Sequence, residues 1–371
     1  MQIYMLNQKI YYSMKYAMIG DIIGFGNGKV EFNFFDKKAD LQQVQNFTLN
    51  HVFNFIKDGG FSNFDFSNLI VSDDSILALA VFDAIKKTYK TDAESIIEAI
   101  KKNIIKYVIN DDKQDKRYYG ETTINSLQLI KKGKDWKEFK YSKHAGGCGA
   151  SIRSMSIGFY LNGAKNLNKL IEVSIQSSRI THNNGIGYIG GFMSAYFTSL
   201  AIDNVNPIEW INFLLNILKD NIIKTFIIET VCKVYPDQCD YHMNDLKTIT
   251  YLLDKYKNDR FAKGKLIQSE VYNHLYFRPQ LFNQDYNIKD DDVNIGSNGF
   301  DSVLYAYDAL LESNGNFEKL IYYSMLHYGD SDSTGCIAGA FFGAYYGNIN
   351  LPKNYDNFNY LDKLDELFNE S

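Results

Sequence analysis

Four cysteines in 371 residues (Cys148, Cys232, Cys239 and Cys336) are too few for a disulfide framework in a chain this long, and none sits in a close-spaced metal or redox motif. A reducing, cytoplasmic setting is the resulting expectation. Lys and Arg form no basic block, and a formal charge of -5 with a pI near 5.7 argues against nucleic acid as the main partner. Long uncharged runs are missing too: the glycine-rich stretch 335–347 is too short to span a bilayer. The opening MQIYMLNQKIYYSMKYAMIGD is interrupted by Gln, Asn and Lys and lacks the unbroken apolar core of a secretory signal. Neither a nucleic-acid nor a membrane partner is expected.

Only four prolines occur (Pro207, Pro236, Pro279, Pro352), and strand-like alternation between turn signals is scarce. Apolar residues instead recur at helical spacing over 93–109, 167–178, 186–202 and 208–234. A mostly α-helical fold in a single domain over 1–371 is therefore expected. The more charged region of about 204–292 reads as a helical elaboration of that domain. Glycine gathers in two helical segments: Gly335, Gly339, Gly343 and Gly347 at every fourth position, and Gly187 with Gly191 beside Ser194. A helix-interior glycine costs roughly 1 kcal/mol relative to alanine. A stripe of them makes sense where a second helix backbone approaches closely.

Two acidic clusters stand far apart in the chain, Ser72-Asp73-Asp74 and Asp330-Ser331-Asp332-Ser333, each at the start of a predicted helix. Either alone reads as an N-cap. Together, if the helix starts converge, they put four aspartates in one pocket, where like charges cannot all remain ionised without cations. An all-oxygen set without Cys or His selects magnesium, manganese or calcium over zinc, and a two-cation site is the natural hypothesis. An EF-hand fails because Thr334 stands at an acid or amide position and Phe341 at the closing glutamate. A dehalogenase-type Asp-x-Asp-x-Thr needs a preceding strand, which Gly329 breaks.

Other segments offer weaker signals. The glycines of GDIIGFGNGK do not fit a dinucleotide fingerprint, and Glu31 beyond them, taken alone, reads as a surface glutamate. Gly146-Gly147-Cys148-Gly149 is a glycine loop entering a helix, where backbone N–H groups suit an anion. Cys148 has no evident base partner and reads as a small packing residue. In Ser178-Arg179-Ile180-Thr181-His182-Asn183, His182 alone reads as a structural hydrogen-bonder. Gly296-Ser297-Asn298-Gly299-Phe300-Asp301 is a turn-rich loop before a helix expected over 303–311.

The segments SDDSILALAVFDA, GGCGASIRSMSIG, SSRITHNNGIGYIGGFMSA and HYGDSDSTGCIAGAFFGAYYG resemble, in order, the signatures of the ADP-ribosylglycohydrolases over roughly 18–347. NGKVEF, VSDD, AGGCGA, GSNGFD and HYGDSDST resemble its ADP-ribosylarginine hydrolase branch more closely. The resemblance implies an all-α, mainly orthogonal helical fold with two Mg²⁺ ions (Mn²⁺ a possible substitute) held by Ser72, Asp73, Asp74, Asp330, Asp332 and Ser333. Asp73, Asp74 and Glu31 would be the catalytic carboxylates. Gly120, Thr122, Thr123, Gly146, Gly147, Cys148, Gly149, His182, Gly296, Ser297, Asn298, Phe300 and Asp301 would surround ADP-ribose. Phe300 departs from the histidine of related arginine hydrolases, and Tyr118-Tyr119 replaces smaller residues. The implied activity is hydrolysis of the N-glycosidic bond of ADP-ribosyl-arginine, with ADP-ribosylated proteins as substrates and ADP-ribose as product. Cleavage at ribose C1 passes through an oxocarbenium-like state aided by carboxylates.

Overall fold

Helices Gln2–Phe25 and Ser331–Tyr346 lie against each other almost backbone to backbone. A Cβ added at Gly20 would fall 2.1 Å from the Gly335 carbonyl oxygen, and one at Gly339 would fall 2.1 Å from that of Tyr16. At Gly343 the distance to the Tyr12 carbonyl oxygen would be 2.4 Å. Any side chain there overlaps main chain, so the glycine stripe is what allows the approach. Gly347, the last of the four, instead ends the helix at φ 66°.

This computed structural model describes residues 2–31, 41–267, 275, 277–286, 288 and 294–370. Phe32, which closes the NGKVEF string, and parts of the 204–292 elaboration lie outside the described residues. Among those described, the chain forms seventeen α-helices and one small hairpin, Phe261–Ala262 with Lys265–Leu266, so the fold is all-α. Helix Gly185–Ile202 is long and apolar enough to cross a membrane by length and composition, yet 94% of it is buried inside the protein. Helices Gly149–Tyr160, Leu167–Arg179 and Gly299–Ser313 pack around it. Its own glycines admit those neighbours: a Cβ at Gly190 would meet the Gly299 carbonyl at 2.0 Å, and one at Gly191 the Ser178 hydroxyl at 2.1 Å.

Three local expectations change. The stretch 208–234 is not one helix. Helix Pro207–Lys219 stops before Asn221, which adopts a left-handed conformation at φ 59°; a short helix Ile222–Phe226 then runs into a π-helical turn, Ile227–Val231. The helix expected over 303–311 starts at Gly299, because Asn298 and Asp301 form a reciprocal capping box. Finally, Cys232 and Cys239 form a disulfide, which the low cysteine count did not suggest. The chain reverses between them through the turn Pro236–Gln238, and cysteine spacing alone does not reveal such a turn. Disulfides persist in oxidising surroundings, so this pair and the cytoplasmic setting expected from the count pull in opposite directions.

The charged elaboration is tied to the core by buried ion pairs. Arg260 bonds Asp308 at 2.7 Å and also reaches Glu312, while Arg278 holds the second oxygen of Asp308. Removing one partner of such a buried set typically costs about 3–5 kcal/mol. These contacts fix helix Cys239–Arg260 to helix Gly299–Ser313, whose first turn adjoins the cavity described next.

Candidate active site

The two acidic helix starts converge. Ser72 caps helix Asp73–Thr88, its Oγ accepting from the Asp74 N–H at 3.1 Å. Asp73 N–H is anchored 3.0 Å from the Arg117 carbonyl. The other start is pinned by Ser331, whose hydroxyl donates to the Gly24 carbonyl at 2.8 Å. A direct bond joins the clusters: Ser333 Oγ donates to Asp74 Oδ2 at 3.0 Å. Glu31 comes in from the loop after helix Gln2–Phe25, and one carboxylate oxygen each of Glu31, Asp330 and Asp332 lie within 4.8 Å of one another. Glu31 is only 7% exposed, so its surface reading is corrected.

These carboxylates line one cavity of about 240 Å³ together with Ser333. Ser72 does not line it; its hydroxyl is buried in the helix cap. Larger surface clefts of about 690 and 770 Å³ lie elsewhere, and neither includes any residue singled out from the sequence as a site residue.

Burial and mutual repulsion raise every carboxyl of the cluster. Asp73, Asp74 and Asp332 are pushed well above the ordinary carboxylate range by desolvation first and neighbouring aspartates second. Asp330 is raised to about 6, chiefly by burial. Glu31 rises for the same reason, with Asp332 the largest charge acting on it. None of them pairs with Lys or Arg among the described residues, and the buried Glu31 Oε1 has no hydrogen-bond partner there. A sixth carboxyl, Asp21, escaped the sequence reading. It is fully buried on helix Gln2–Phe25, raised to about 7 by burial and by Asp332, and accepts from the N–H groups of Ser72 (3.1 Å) and Ser75 (3.2 Å) and from the Ser75 hydroxyl. Its one signal was an acid inside the apolar run AMIGDII.

Donor chemistry here fits a hard divalent cation: oxygen atoms only, several of them anionic, one buried and unpartnered. A pH-dependent effect follows. Without cations the folded chain retains protons on Asp330 and Asp21 that the unfolded chain has released above about pH 4. That contribution to stability is present at low pH and lost as pH rises through about 6 to 7. Buried His51, His182, His242 and His327, all pulled down by desolvation, act in the opposite sense between about pH 4 and 6.5. All four are neutral in the folded chain above about pH 5, and a cation beside the cavity-lining His182 would only lower it further, so the cation-dependent difference above pH 5 isolates the carboxylates. The gap in melting temperature between Mg²⁺-loaded and chelator-treated protein should therefore widen from pH 5 to 7.5; a gap independent of pH would contradict this.

Polar loops form the remaining walls. Gly120, Glu121, Thr122 and Thr123 line the cavity at the start of helix Glu121–Lys131, and the Gly120 backbone favours the ionised form of Asp73, partly offsetting its burial. Tyr118, held at φ 57°, lines the mouth with its ring edge-on to Phe25 at 5.5 Å. Gly147, Cys148, Gly149, His182 and Ser297 complete the lining. Cys148 packs its thiol 3.3 Å from Asp330 Oδ2 and 3.4 Å from Ser333 Oγ, and burial beside Asp330 raises its pKa, so it is no thiolate nucleophile.

The other expected residues stand behind this surface. Gly146 accepts the Gly299 N–H at 2.9 Å, which ties the two glycine loops together. Gly296, at φ 92°, presses against the Asp330 carbonyl, where a Cβ would fall 2.7 Å away. Asn298 and Asp301 are engaged in the capping box, and Phe300 is wholly buried in the apolar core. These five therefore shape the loops rather than line the cavity.

Fold and site together define an all-α protein with a carboxylate-floored cavity walled by glycine loops. The family model for ADP-ribosylglycohydrolases matches residues 9–370. ADP-ribosylhydrolase ARH1 of Dictyostelium discoideum is 32% identical over 382 residues, covering 96% of this chain and 92% of that protein. Protein L444 of Acanthamoeba polyphaga mimivirus, provisionally named an ADP-ribosyl glycohydrolase, is 30% identical over 95% of this chain and 67% of its own length. A solved ADP-ribosylglycohydrolase-related protein complex shares the fold at a TM-score of 0.53 and 13% identity, covering 98% of this chain and 97% of that one. The chain belongs to the ADP-ribosylglycohydrolase family. That membership makes it a glycohydrolase of ADP-ribosyl linkages.

Proposed function

We propose that the protein hydrolyses the N-glycosidic bond of ADP-ribosyl-arginine on proteins, releasing ADP-ribose and the free arginine side chain, with two Mg²⁺ ions at the carboxylate cluster. The observation that carries this reading is the buried group Glu31, Asp330 and Asp332, joined to Asp74 through Ser333 and lacking any basic partner among the described residues. Asp73, Asp74, Asp330, Asp332 and Ser333 would hold the ions, and Ser72 would join them through a lone pair its cap leaves free. When bound, the ions supply orientation of the ribose hydroxyls and a lowered pKa for water.

The chain's own residues account for the rest. Thr122, Thr123 and the Gly147–Gly149 backbone offer donors to the bound ADP-ribose. Asp73 or Asp74 orients the water that attacks C1 and takes its proton. As the C1–N bond breaks, the guanidinium leaves as a neutral guanidine and regains a proton, which Glu31 would deliver. A cleft with this many carboxylates favours a substrate linked through a cationic guanidinium over one linked through a neutral serine oxygen, and the NGKVEF and AGGCGA strings favour the same branch.

Side-by-side rates on ADP-ribosyl-arginine and ADP-ribosyl-serine peptides, with and without Mg²⁺, test the reading. The arginine linkage should be cleaved at least about tenfold faster, roughly 1.4 kcal/mol in barrier, and only with the cation. Equal rates or a serine preference would assign the chain to another linkage. No turnover on either would make it an inactive ADP-ribose-binding relative.

A further inference from the structure

Three buried side chains form a line behind the glycine wall: Arg153, Thr181 and His182. Arg153 Nη2 lies 2.8 Å from Thr181 Oγ1, which in turn lies 2.7 Å from His182 Nδ1. A guanidinium can only donate, so Thr181 Oγ1 accepts from Arg153. The hydroxyl has no other partner among the described residues. Its single proton therefore points at His182 Nδ1; the alternative leaves a buried O–H unbonded, which native interiors avoid. With Nδ1 accepting, a neutral imidazole carries its proton on Nε2.

Arg153 makes the arrangement one-directional. It has no carboxylate partner among the described residues and instead bonds the carbonyls of Gly149 (3.0 Å), Ser177 (3.1 Å) and Ser178 (3.2 Å). Two of these close helix Leu167–Arg179, whose dipole favours a cation there. Burial first, and this charge second, hold His182 down at about 3, so the ring stays neutral at physiological pH. On the far side, Nε2 faces the glycine loop: a Cβ at Gly147 would lie 3.4 Å from it and one at Gly149 3.6 Å. No described protein group bonds Nε2, and the residue lines the cavity.

We propose that Arg153 and Thr181 are positioning residues that lock His182 in its Nε2–H form, so that the cavity presents one fixed neutral donor to an anionic oxygen of the bound ligand. The ligand assignment rests on the ADP-ribose reading above; the tautomer does not.

Long-range ¹H–¹⁵N correlation spectra of the full chain labelled with ¹⁵N-histidine test it, with His182 assigned by the signals lost in His182→Gln. The expected result is a protonated Nε2 and an unprotonated Nδ1, unchanged from pH 5.5 to 8. A proton on Nδ1, or a mixture of tautomers, would overturn the proposal whatever the substrate. Thr181→Val should give mixed tautomers and a roughly tenfold weaker Kd for ADP-ribose by calorimetry, and Thr181→Ser should restore both. An unchanged Kd in a folded Thr181→Val variant would also overturn it. If Thr181→Val does not fold, the wild-type spectrum and Thr181→Ser still decide. Wild-type protein that shows the Nε2–H form yet ignores ADP-ribose would refute the substrate reading and leave the relay standing.

Discussion

Asp332→Asn should lower turnover on ADP-ribosyl-arginine at least about a thousandfold, roughly 4 kcal/mol in barrier, without loss of the helical fold. Asp332 is the largest single charge acting on Asp21, Glu31, Asp73 and Asp74. Removing that charge takes an anionic ligand from a site that needs several. The amide keeps the shape, and its oxygen can still accept the Ser333 N–H now 2.9 Å from Asp332 Oδ1. In chelator the variant should melt a few degrees above wild type, because the repulsion it relieves is present only without cations. Asp73→Asn should behave alike, more mildly in its melting temperature, since Asp73 is partly open to the cavity. Steady-state kinetics and paired melts check both; turnover within tenfold of wild type would remove Asp332 from the metal site.

The second large effect is structural. Gly339→Val should destabilise the protein by at least about 3 kcal/mol or prevent folding. The atoms a Cβ would meet are the Tyr16 carbonyl oxygen and carbon at 2.1 and 2.5 Å and the Ala17 nitrogen at 2.9 Å. All are main chain, so no rotamer change relieves the overlap. Moving the two helices apart would also separate Asp21 and the Glu31 loop from Asp332, so any folded fraction should bind Mg²⁺ more weakly. Denaturant melts near those of wild type would contradict the backbone-to-backbone contact.

Local signals made the helix starts readable. Ser72 and Asp330 stand immediately before helical periodicity, although only the Ser72 side chain caps its helix; capping is decided within one turn of chain. The glycine stripe was readable because only a close backbone approach justifies its cost. Asp21 was not, since its partners Ser72 and Ser75 are 51 and 54 positions away and a lone acid in a helix usually faces water. His182 was noticed, but its meaning depends on Arg153, whose contact with Thr181 spans 28 positions. Phe300 and Asp301 were expected at the ligand; the Asn298 cap turns them into the first turn of a helix and away from the cavity. The break at Asn221 depends on a left-handed residue that apolar periodicity conceals. The disulfide likewise depends on a reversal that spacing does not encode.

The proposed pair of hard divalent cations would be held by oxygen atoms where the two helix starts meet. Anomalous scattering from crystals of the full chain soaked in Mn²⁺ tests that most directly. Two manganese peaks are expected in the 240 Å³ cavity, bound by carboxylate oxygens of Asp73, Asp74, Asp330 and Asp332, both displaced by excess Mg²⁺. No peak there, or a single ion held through the Cys148 sulfur, would contradict it.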